Sequence, residues 1–343
     1  MVVVELWERV LHQRGAHSRL CVAGGRVLVH ERHSRLVCLD AADGSPGWDV
    51  PLGTWPRALV VAGDRVLALP QDRPVLSCFA LASGALLWQA ELARCSGHLT
   101  VLDGVVLTGG WRGYTAPAAF ALADGRPLWR APAPVRTELP AAWAGGLLLG
   151  DGTRAWLLDP RTGRETASWL LPLPLAGADS GTVFTVLDED RCAAVCGSRS
   201  VVVLSRTGRA VEVLRPQRNA LLGGAPLRAD GLLWLRERRC GGGGGWVGVD
   251  PLDGTPRQRV AVRERPVTAG VVGTPTGVAV ALEDGALLRV PGQELPGAPA
   301  GPAGPARRTG HRERIGHRVA AVHPLGPGRL LAVTRNSLRA WQL

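Results

Sequence analysis

The sequence predicts an all-β fold class, an eight-bladed β-propeller of four-stranded antiparallel blades. Three observations lead to this prediction. A turn centred on a glycine recurs about every 40 residues, 45 Gly and 26 Pro occur among 343 residues, and short apolar segments separated by turns fill the chain. Many short strands of even spacing are typical of a propeller, and no segment has a convincing helical pattern.

The repeat is clearest in its first three copies. LVCLDAADGSPGW (36–48), LSCFALASGALLW (76–88) and AFALADGRPLW (119–129) each place a strand before the turn and a Trp four residues after its glycine. Successive turn glycines lie 38 to 46 residues apart, about the length of one blade. These glycines are Gly44, Gly84, Gly125, Gly163, Gly208, Gly254 and, more weakly, Gly292.

Each unit divides into four strands joined as two hairpins. In the second unit the strands are RALVVAG, RVLALP, VLSCFAL and LLWQAEL, and the tight turns AGD and ASG lie within the two pairs. First hairpins of this kind number eight, which predicts eight blades; seven is the alternative if the weak unit near 267–292 is incomplete. They lie near residues 22, 60, 100, 142, 185, 226, 270 and 320.

The last unit has only three strands of its own, within 317–343. The N-terminal segment VVVELWERVL (2–11) has the residue pattern of a β-strand but no neighbouring strand in the sequence to pair with. We therefore expect it to be the fourth strand of that blade. This closure would remove the exposed edges of an open array. The whole chain, 1–343, is then one domain with both termini in one blade.

Tryptophan makes up 12 of the 16 aromatic residues and lies at repeated positions. A large flat side chain at the start of an outer strand can pack between blades and fix their angle. In the fourth to sixth units Ala167, Glu212 and Gln258 hold that position, with Trp169 displaced by two, so those blades need another seal. The predicted docking residues are Trp7, Trp48, Trp88 and Trp129.

The chain carries a net charge of +11, and all 40 basic residues are Arg. This bias is consistent with a GC-rich bacterial genome, or with a basic surface for nucleic acid or an acidic partner. Of the seven cysteines, Cys38 and Cys78 share one repeat position and are predicted to be small core residues. Cys192 and Cys196 have a weak metal-ligand spacing around an apolar strand.

The N-terminus is interrupted by Glu5 and Glu8 and has no long apolar region, so we do not expect a secretory signal. No run of about 18 apolar residues occurs, and we therefore expect no membrane span. A cytoplasmic location is the resulting expectation.

The phrase LVCLDAADGSPGW resembles the repeat of quinoprotein-type (PQQ-like) propellers, which is close to L-x-A-L-D-x-x-T-G-x-x-x-W. WLLDPRTGRE (156–165) and WVGVDPLDGT (246–255) are further copies, so the resemblance covers nearly the whole chain. That superfamily includes pyrroloquinoline quinone (PQQ) dehydrogenases. It also includes non-catalytic propellers, such as the outer-membrane-protein assembly lipoprotein and scaffold or sensor domains of bacterial regulatory proteins.

For the dehydrogenases the resemblance implies an adjacent Cys pair, a calcium site of Glu, Asn and Asp, and a catalytic Asp. The sequence has no adjacent cysteines, and its two Asn, Asn219 and Asn336, lie in no recognisable calcium motif. We therefore expect no catalytic residue, cofactor, PQQ or metal, and a member of the non-catalytic branch. The assembly lipoprotein is also expected to match poorly, because it needs export and a lipidated Cys near its N-terminus.

Loops joining the second and third strands of the units gather many Arg, whose planar fork suits carboxylate or phosphate. They are either an anion-binding or acidic-peptide-binding face, or merely solvated loops. His30 and His33 form H-x-x-H, a metal spacing on a helix but here interpreted as a solvated loop. The candidate binding residues are Arg32, His33, Arg73, Trp111, Arg112, Arg154, Arg199, Arg236, Arg238, Arg239 and Arg335.

One insertion, 291–318, is rich in Pro, Gly, Ala and Arg and is predicted to be flexible. The main functional hypothesis is a non-catalytic platform that binds a protein or peptide partner through the Arg-rich loops. One alternative is an enzyme or cofactor-binding protein with a site at the mouth of the central channel. The other is electrostatic nucleic-acid binding through 307–318, including Arg307, Arg308, Arg312, Arg314 and Arg318.

Overall fold

The computed structural model is a ring of eight antiparallel β-sheets, one sheet per blade. It describes residues 3–11, 20–32, 34–54, 56–110, 115–135, 140–176, 184–208, 211–214, 221–222, 226–238, 244–262, 266–274, 277–291 and 312–343. The predicted eight-bladed all-β propeller is confirmed. No helix of the described residues is long and apolar enough to cross a membrane.

The first four blades have regular strands. The N-terminal strand is β1 (Val4–Val10). Blade 1 comprises β2 (Cys21–Ala23), β3 (Arg26–Glu31), β4 (Arg35–Asp40) and β5 (Pro46–Pro51). Blade 2 comprises β6 (Pro56–Ala62), β7 (Arg65–Pro70), β8 (Val75–Ala80) and β9 (Leu86–Glu91). Blade 3 comprises β10 (Ser96–Leu102), β11 (Val105–Gly110), β12 (Ala118–Ala121) and β13 (Pro127–Arg130). Blade 4 comprises β14 (Ala141–Trp143), β15 (Gly146–Asp151), β16 (Arg154–Leu158) and β17 (Glu165–Leu170).

The last four blades are less regular. Blade 5 comprises β18 (Phe184–Val186), β19 (Arg191–Cys196), β20 (Ser200–Ser205) and β21 (Val211–Leu214). Blade 6 has β22 (Leu221–Leu222) and β23 (Leu227–Ala229) sharing the first position, then β24 (Leu232–Arg238), β25 (Gly244–Val249) and β26 (Pro256–Val262). Blade 7 comprises β27 (Pro266–Thr274), β28 (Gly277–Leu282), β29 (Ala286–Pro291) and β30 (Arg312–Arg314). Blade 8 contributes β31 (Val319–Gly326), β32 (Arg329–Thr334) and β33 (Ser337–Gln342).

Strand β1 completes blade 8, as the sequence predicts. It pairs antiparallel with β33, with Val4 opposite Gln342 and Val10 opposite Ser337. Contacts between β31 of blade 8 and β2 of blade 1 complete the ring on the inner side. The two ends of the chain therefore lie in one sheet. Hydrogen bonds between β1 and β33, the first and last strands of the chain, hold the ends together.

The core lies between the blades, since each sheet packs apolar side chains against both neighbours. Leu28 and Cys38 of blade 1 pack with Val66 and Phe79 of blade 2, for example. Cys38 and Cys78 are buried, which agrees with their prediction as small core residues. Alternate residues of a strand face opposite sides of its sheet. The second strands of blades 1, 2 and 4, which are β3, β7 and β15, contain consecutive buried apolar residues, so both of their faces are apolar.

The tryptophans of the outer strands lie against the next blade. The indole nitrogen of Trp48 donates to the carbonyl of Leu81 at 2.8 Å, and that of Trp88 donates to the carbonyl of Leu122 at 3.0 Å. Trp129 and Trp7 donate in the same way to Pro160 and Ala41, at 2.8 and 3.2 Å. Each ring covers the turn glycine of the neighbouring blade, in the pairs Trp7–Gly44, Trp48–Gly84, Trp88–Gly125 and Trp129–Gly163.

From blade 4 onward the contact that seals one blade to the next changes, as the absence of a Trp at the repeat position predicts. Trp169 is buried, and its indole nitrogen donates to the carbonyl of Ser205 in blade 5 at 2.9 Å. It therefore fixes blade 4 to blade 5 from a position two residues after Ala167, which holds the repeat position. Between blades 5 and 6 the side chain of Leu214 lies against Gly254. The repeat position is therefore not the only place from which one blade can be fixed to the next.

The contact between turn glycine and Trp gives a direct test. Gly84 and Gly63 both have positive φ, +73° and +60°, but a Cβ at Gly84 would lie 2.7 Å from the Trp48 ring, whereas a Cβ at Gly63 meets nothing within 4 Å. We expect Gly63→Ala to cost about 1–2 kcal/mol of unfolding free energy from backbone strain alone. Gly84→Ala should cost about 1–3 kcal/mol more, because the Trp must move. Urea unfolding measures the difference, and equal costs would contradict the docking role of Trp48.

Candidate functional site

The antiparallel blades divide the turns between two faces of the ring. Turns from the second to the third strand share one face with the connections between blades, and we name this the loop face. Its turns are 31–35, 70–75, 110–118, 151–154, 196–200, 238–244, 282–286 and 334–337. The opposite face, formed by turns from the first to the second and from the third to the fourth strand, is named the turn face.

Three of the predicted arginines have carboxylate partners within their own blades. Arg154 contacts both oxygens of Glu165 at 2.7 Å and stacks over Trp156 at 5.3 Å. Arg32 lies 3.4 Å from Asp49, and Arg73 lies 3.8 Å from Asp72. These exposed pairs add little to stability, but they reduce the free positive charge that the sequence predicts for the loop face.

The other predicted site residues have different positions. Arg199 and Arg335 are exposed in their turns on the loop face. Arg236 and Arg238 lie inside strand β24, not in a loop, because the pairing of β24 with β25 extends to Arg238 opposite Gly244. That part of the loop prediction was wrong. His33, Trp111, Arg112 and Arg239 lie outside the described residues.

The Arg-rich end of the predicted insertion is partly built into blade 7. Arg312 to Arg314 form strand β30, which pairs with β29, and Arg312 contacts Asp284 at 2.7 Å. Residues 292–311, which include Arg307 and Arg308, lie outside the described residues.

The histidine and cysteine spacings lead to no ligand cluster. His30 is buried, with a ring nitrogen 3.3 Å from the carbonyl oxygen of Gly53, so its prediction as part of a solvated loop was wrong. Cys192 and Cys196 are core residues, and burial raises the pKa of both thiols to about 12. Within the described ranges no three His, Cys, Asp or Glu side chains are placed to hold a metal ion.

Aspartates on the turn face stabilise the repeat turns. Asp43 accepts from the backbone N–H of Ser45 at 2.9 Å, and Asp253 accepts from that of Thr255 at 2.7 Å. Hydrogen bonds from the residue two positions on lower the pKa of both carboxyl groups. These acids therefore act as turn formers, which explains why Asp-Gly recurs in the repeat.

Burial of His323 in the inner strand β31 predicts a pH-dependent stability. Burial lowers the pKa of this imidazole below its ordinary value. The unfolded chain takes up the proton near pH 6.5, whereas the folded chain does so only at lower pH, so the unfolding free energy falls as the pH drops from about 6.5 through the folded pKa. His323→Gln should lose this part of the dependence when urea midpoints at pH 7.5 and 5.5 are compared. An unchanged dependence would contradict the assignment.

Two exposed leucines on the loop face were not singled out from the sequence. Leu170 is 79% exposed at the end of β17, opposite Arg154, and Leu173 is 40% exposed in the connection to blade 5. The run LLPLPLAG (170–177) was a signal for them, because apolar residues spaced by prolines do not continue a strand. Leu170 lies opposite Arg154 in the sheet, and Leu173 lies against Gly197 of the 196–200 turn, so exposed apolar side chains share this part of the loop face with charged ones.

The chain is similar to known proteins over its blade repeats. A family model described as outer membrane protein assembly factor BamB matches residues 4–77 and 72–295. BamB from Moraxella catarrhalis has the same fold, with a TM-score of 0.74 and 16% identity over 100% of both chains. The computationally designed Ika8 protein also has this fold, with a TM-score of 0.70 and 13% identity over 99% of both chains.

A quinohemoprotein alcohol dehydrogenase, ADHIIG from Pseudomonas putida HK5, also has the fold, with a TM-score of 0.69 and 11% identity over 99% of this chain and 76% of that one. At these identities the likeness establishes the fold alone. No curated protein matches the sequence.

The expectation of a poor match to the assembly lipoprotein was wrong at the level of family, since the matching family model bears that protein's description. That expectation relied on export and lipidation, whereas the match spans the blade repeats.

Proposed function

Because the chain belongs to the PQQ-like propeller family described as outer membrane protein assembly factor BamB, we propose that it is a non-catalytic platform that binds a protein partner through its loop face. The family description names an assembly factor, and a protein that assists assembly works by binding other proteins. Fold alone does not fix function, so the proposal depends on a surface of this chain.

The observation that supports the proposal most strongly is the exposed leucine surface at the junction of blades 4 and 5. Leu170 is 79% exposed, although its neighbour Trp169 is 2% exposed and seals the blades. Leu173 lies against Gly197 of the adjoining turn, which holds this connection on the loop face. Burial of a large apolar side chain that a rigid scaffold holds in water is favourable when a partner covers it.

The test is quantitative co-purification of a tagged chain from its own cells, followed by native mass spectrometry. Leu170→Glu places a charge in the proposed contact and should remove a stoichiometric partner. Leu252→Glu is the matched control, because Leu252 is 64% exposed but lies on the turn face. Loss of the partner from both variants, or from neither, would overturn the assignment to the loop face.

We also propose that the chain acts in the cytoplasm. Six described cysteines are free thiols, and four of them are buried, which suits a compartment where thiols stay reduced. Immunoblots of separated cytoplasmic, periplasmic and membrane fractions test this. Recovery of the chain outside the cytoplasmic fraction would contradict the proposal.

A further inference from the structure

A cavity of about 550 Å³ opens on the loop face where blade 8 meets blade 7. One wall is the end of the closing strand β1, with Glu8 and Val10. The connection from blade 7, with His317 and Arg318, and the 334–337 turn also line the cavity. The cavity belongs to the blade that the N-terminal strand completes, so it exists only in the closed ring.

The 334–337 turn is fixed by its own hydrogen bonds. The Thr334 hydroxyl accepts from the backbone N–H of Ser337 at 2.9 Å and from that of Asn336 at 3.3 Å. The carbonyl of Asn336 accepts from the backbone N–H of Leu11 at 2.7 Å. With its hydroxyl and backbone engaged, the turn holds the side chains of Arg335 and Asn336 at the cavity in a fixed frame.

The cationic groups of the cavity differ in their partners. Arg339 is neutralised by the closing strand, with Glu8 at 2.7 Å and Glu5 at 3.5 Å. Arg318 and Arg335 are exposed and form no ion pair with any described residue. Among the described lining residues Glu8 is the one acid, and it is committed to Arg339. Two guanidinium groups therefore remain without a carboxylate.

The backbone supports the position of Arg318. This residue has a φ of 55°, in the left-handed region that non-glycine residues seldom adopt. The conformation turns the chain from Ile315, which is fully buried between blades 7 and 8, back into strand β31 at Val319. Arg318 is thus anchored on both sides by core residues, while its own side chain lines the cavity.

We propose that this cavity binds a carboxylate side chain of an acidic peptide segment, with Arg318 and Arg335 as its ligands. Guanidinium groups pair with carboxylates through two parallel hydrogen bonds, and the chain already forms such a pair between Arg9 and Glu31. Asn336 adds an amide donor, and Val10, 65% exposed, offers an apolar contact at the rim. The inference rests on the proposed function, since it names the chemistry of one contact on the loop face.

The probe is a fluorescein-labelled octapeptide of alternating Glu and Gly, with the Gln–Gly peptide as its neutral counterpart. Fluorescence anisotropy compares the wild type with the double variant Arg318→Gln, Arg335→Gln. The control is Arg164→Gln, Arg206→Gln, which removes the same charge from two exposed arginines of the turn face. Thermal unfolding of all three proteins checks that each is folded.

We expect the wild type and the control to bind the acidic peptide alike, and the cavity variant to bind at least tenfold more weakly. Equal weakening in both variants would show that net charge alone attracts the peptide, and would overturn the site. Binding of the Gln–Gly peptide with equal affinity, or no binding of the acidic peptide at millimolar concentration, would overturn it too. Loss of the cellular partner from Leu170→Glu is a separate readout, so the cavity and the proposed function can fail independently.

Discussion

Replacing Arg9 by Met is expected to lower the free energy of unfolding by about 3–5 kcal/mol, because it leaves a buried carboxylate without its partner. Glu31 of blade 1 is fully buried, and Arg9 of the closing strand contacts both its oxygens, at 2.7 and 2.9 Å. Arg9 donates both hydrogen bonds, and this pairing with Glu31 raises the pKa of the guanidinium.

The double variant Arg9→Met, Glu31→Leu distinguishes this cause from a general packing defect. Apolar residues of similar volume can replace a buried pair at little cost, so the double variant should recover most of the stability that Arg9→Met loses. Urea unfolding followed by Trp fluorescence measures both. A loss below about 1 kcal/mol for Arg9→Met, the range of an exposed pair, would mean that water replaces the missing partner.

Trp7→Ala is the second change with a large expected effect, about 3–5 kcal/mol, the range for a buried Trp truncated to Ala. Trp7 is 8% exposed, its ring covers Gly44, and its indole donates to Ala41 in blade 1. It is therefore a link between the closing strand and the first blade. Without it β1 keeps its pairing with β33 and the Arg9–Glu31 ion pair but loses this apolar link to blade 1, and we expect faster proteolysis of the N-terminal strand.

Trp7→Phe is the graded control, since it keeps most of the ring and loses the hydrogen bond. It should cost less than Trp7→Ala, with about 1 kcal/mol from the lost hydrogen bond. Leu252→Ala, at an exposed turn, should change stability by less than about 0.5 kcal/mol. If Trp7→Ala resembles Leu252→Ala in midpoint and protease sensitivity, Trp7 does not hold the ring closed.

The architecture could be predicted because the same local pattern, a strand, a glycine turn and a further strand, recurs along the chain. The role of the closing strand could be predicted by counting strands. The last unit has three strands, and the N-terminal segment supplies the fourth strand of that blade. The paired Arg9 and Glu31 could not be found this way. They lie 22 residues apart in different blades, and only the closure brings them together.

The loop face was predicted less well for a related reason. Sequence position placed Arg32, Arg199 and Arg335 in turns. It did not reveal that Asp49 and Glu165, from the fourth strands, would pair with Arg32 and Arg154. Neither did it show that β24 continues through Arg236, because the strand length depends on the partner strand β25. Exposure of Leu170 depends on which side of β17 meets the next blade.

Hydrogen–deuterium exchange of the chain alone and with its co-purified partner shows which face of the ring the partner covers. If the partner binds the loop face, exchange slows upon binding in the connection after Leu170 and in the neighbouring turns 151–154 and 196–200. The turn face, including residues 250–254, should exchange at an unchanged rate. Protection confined to the turn face would contradict binding through the loop face.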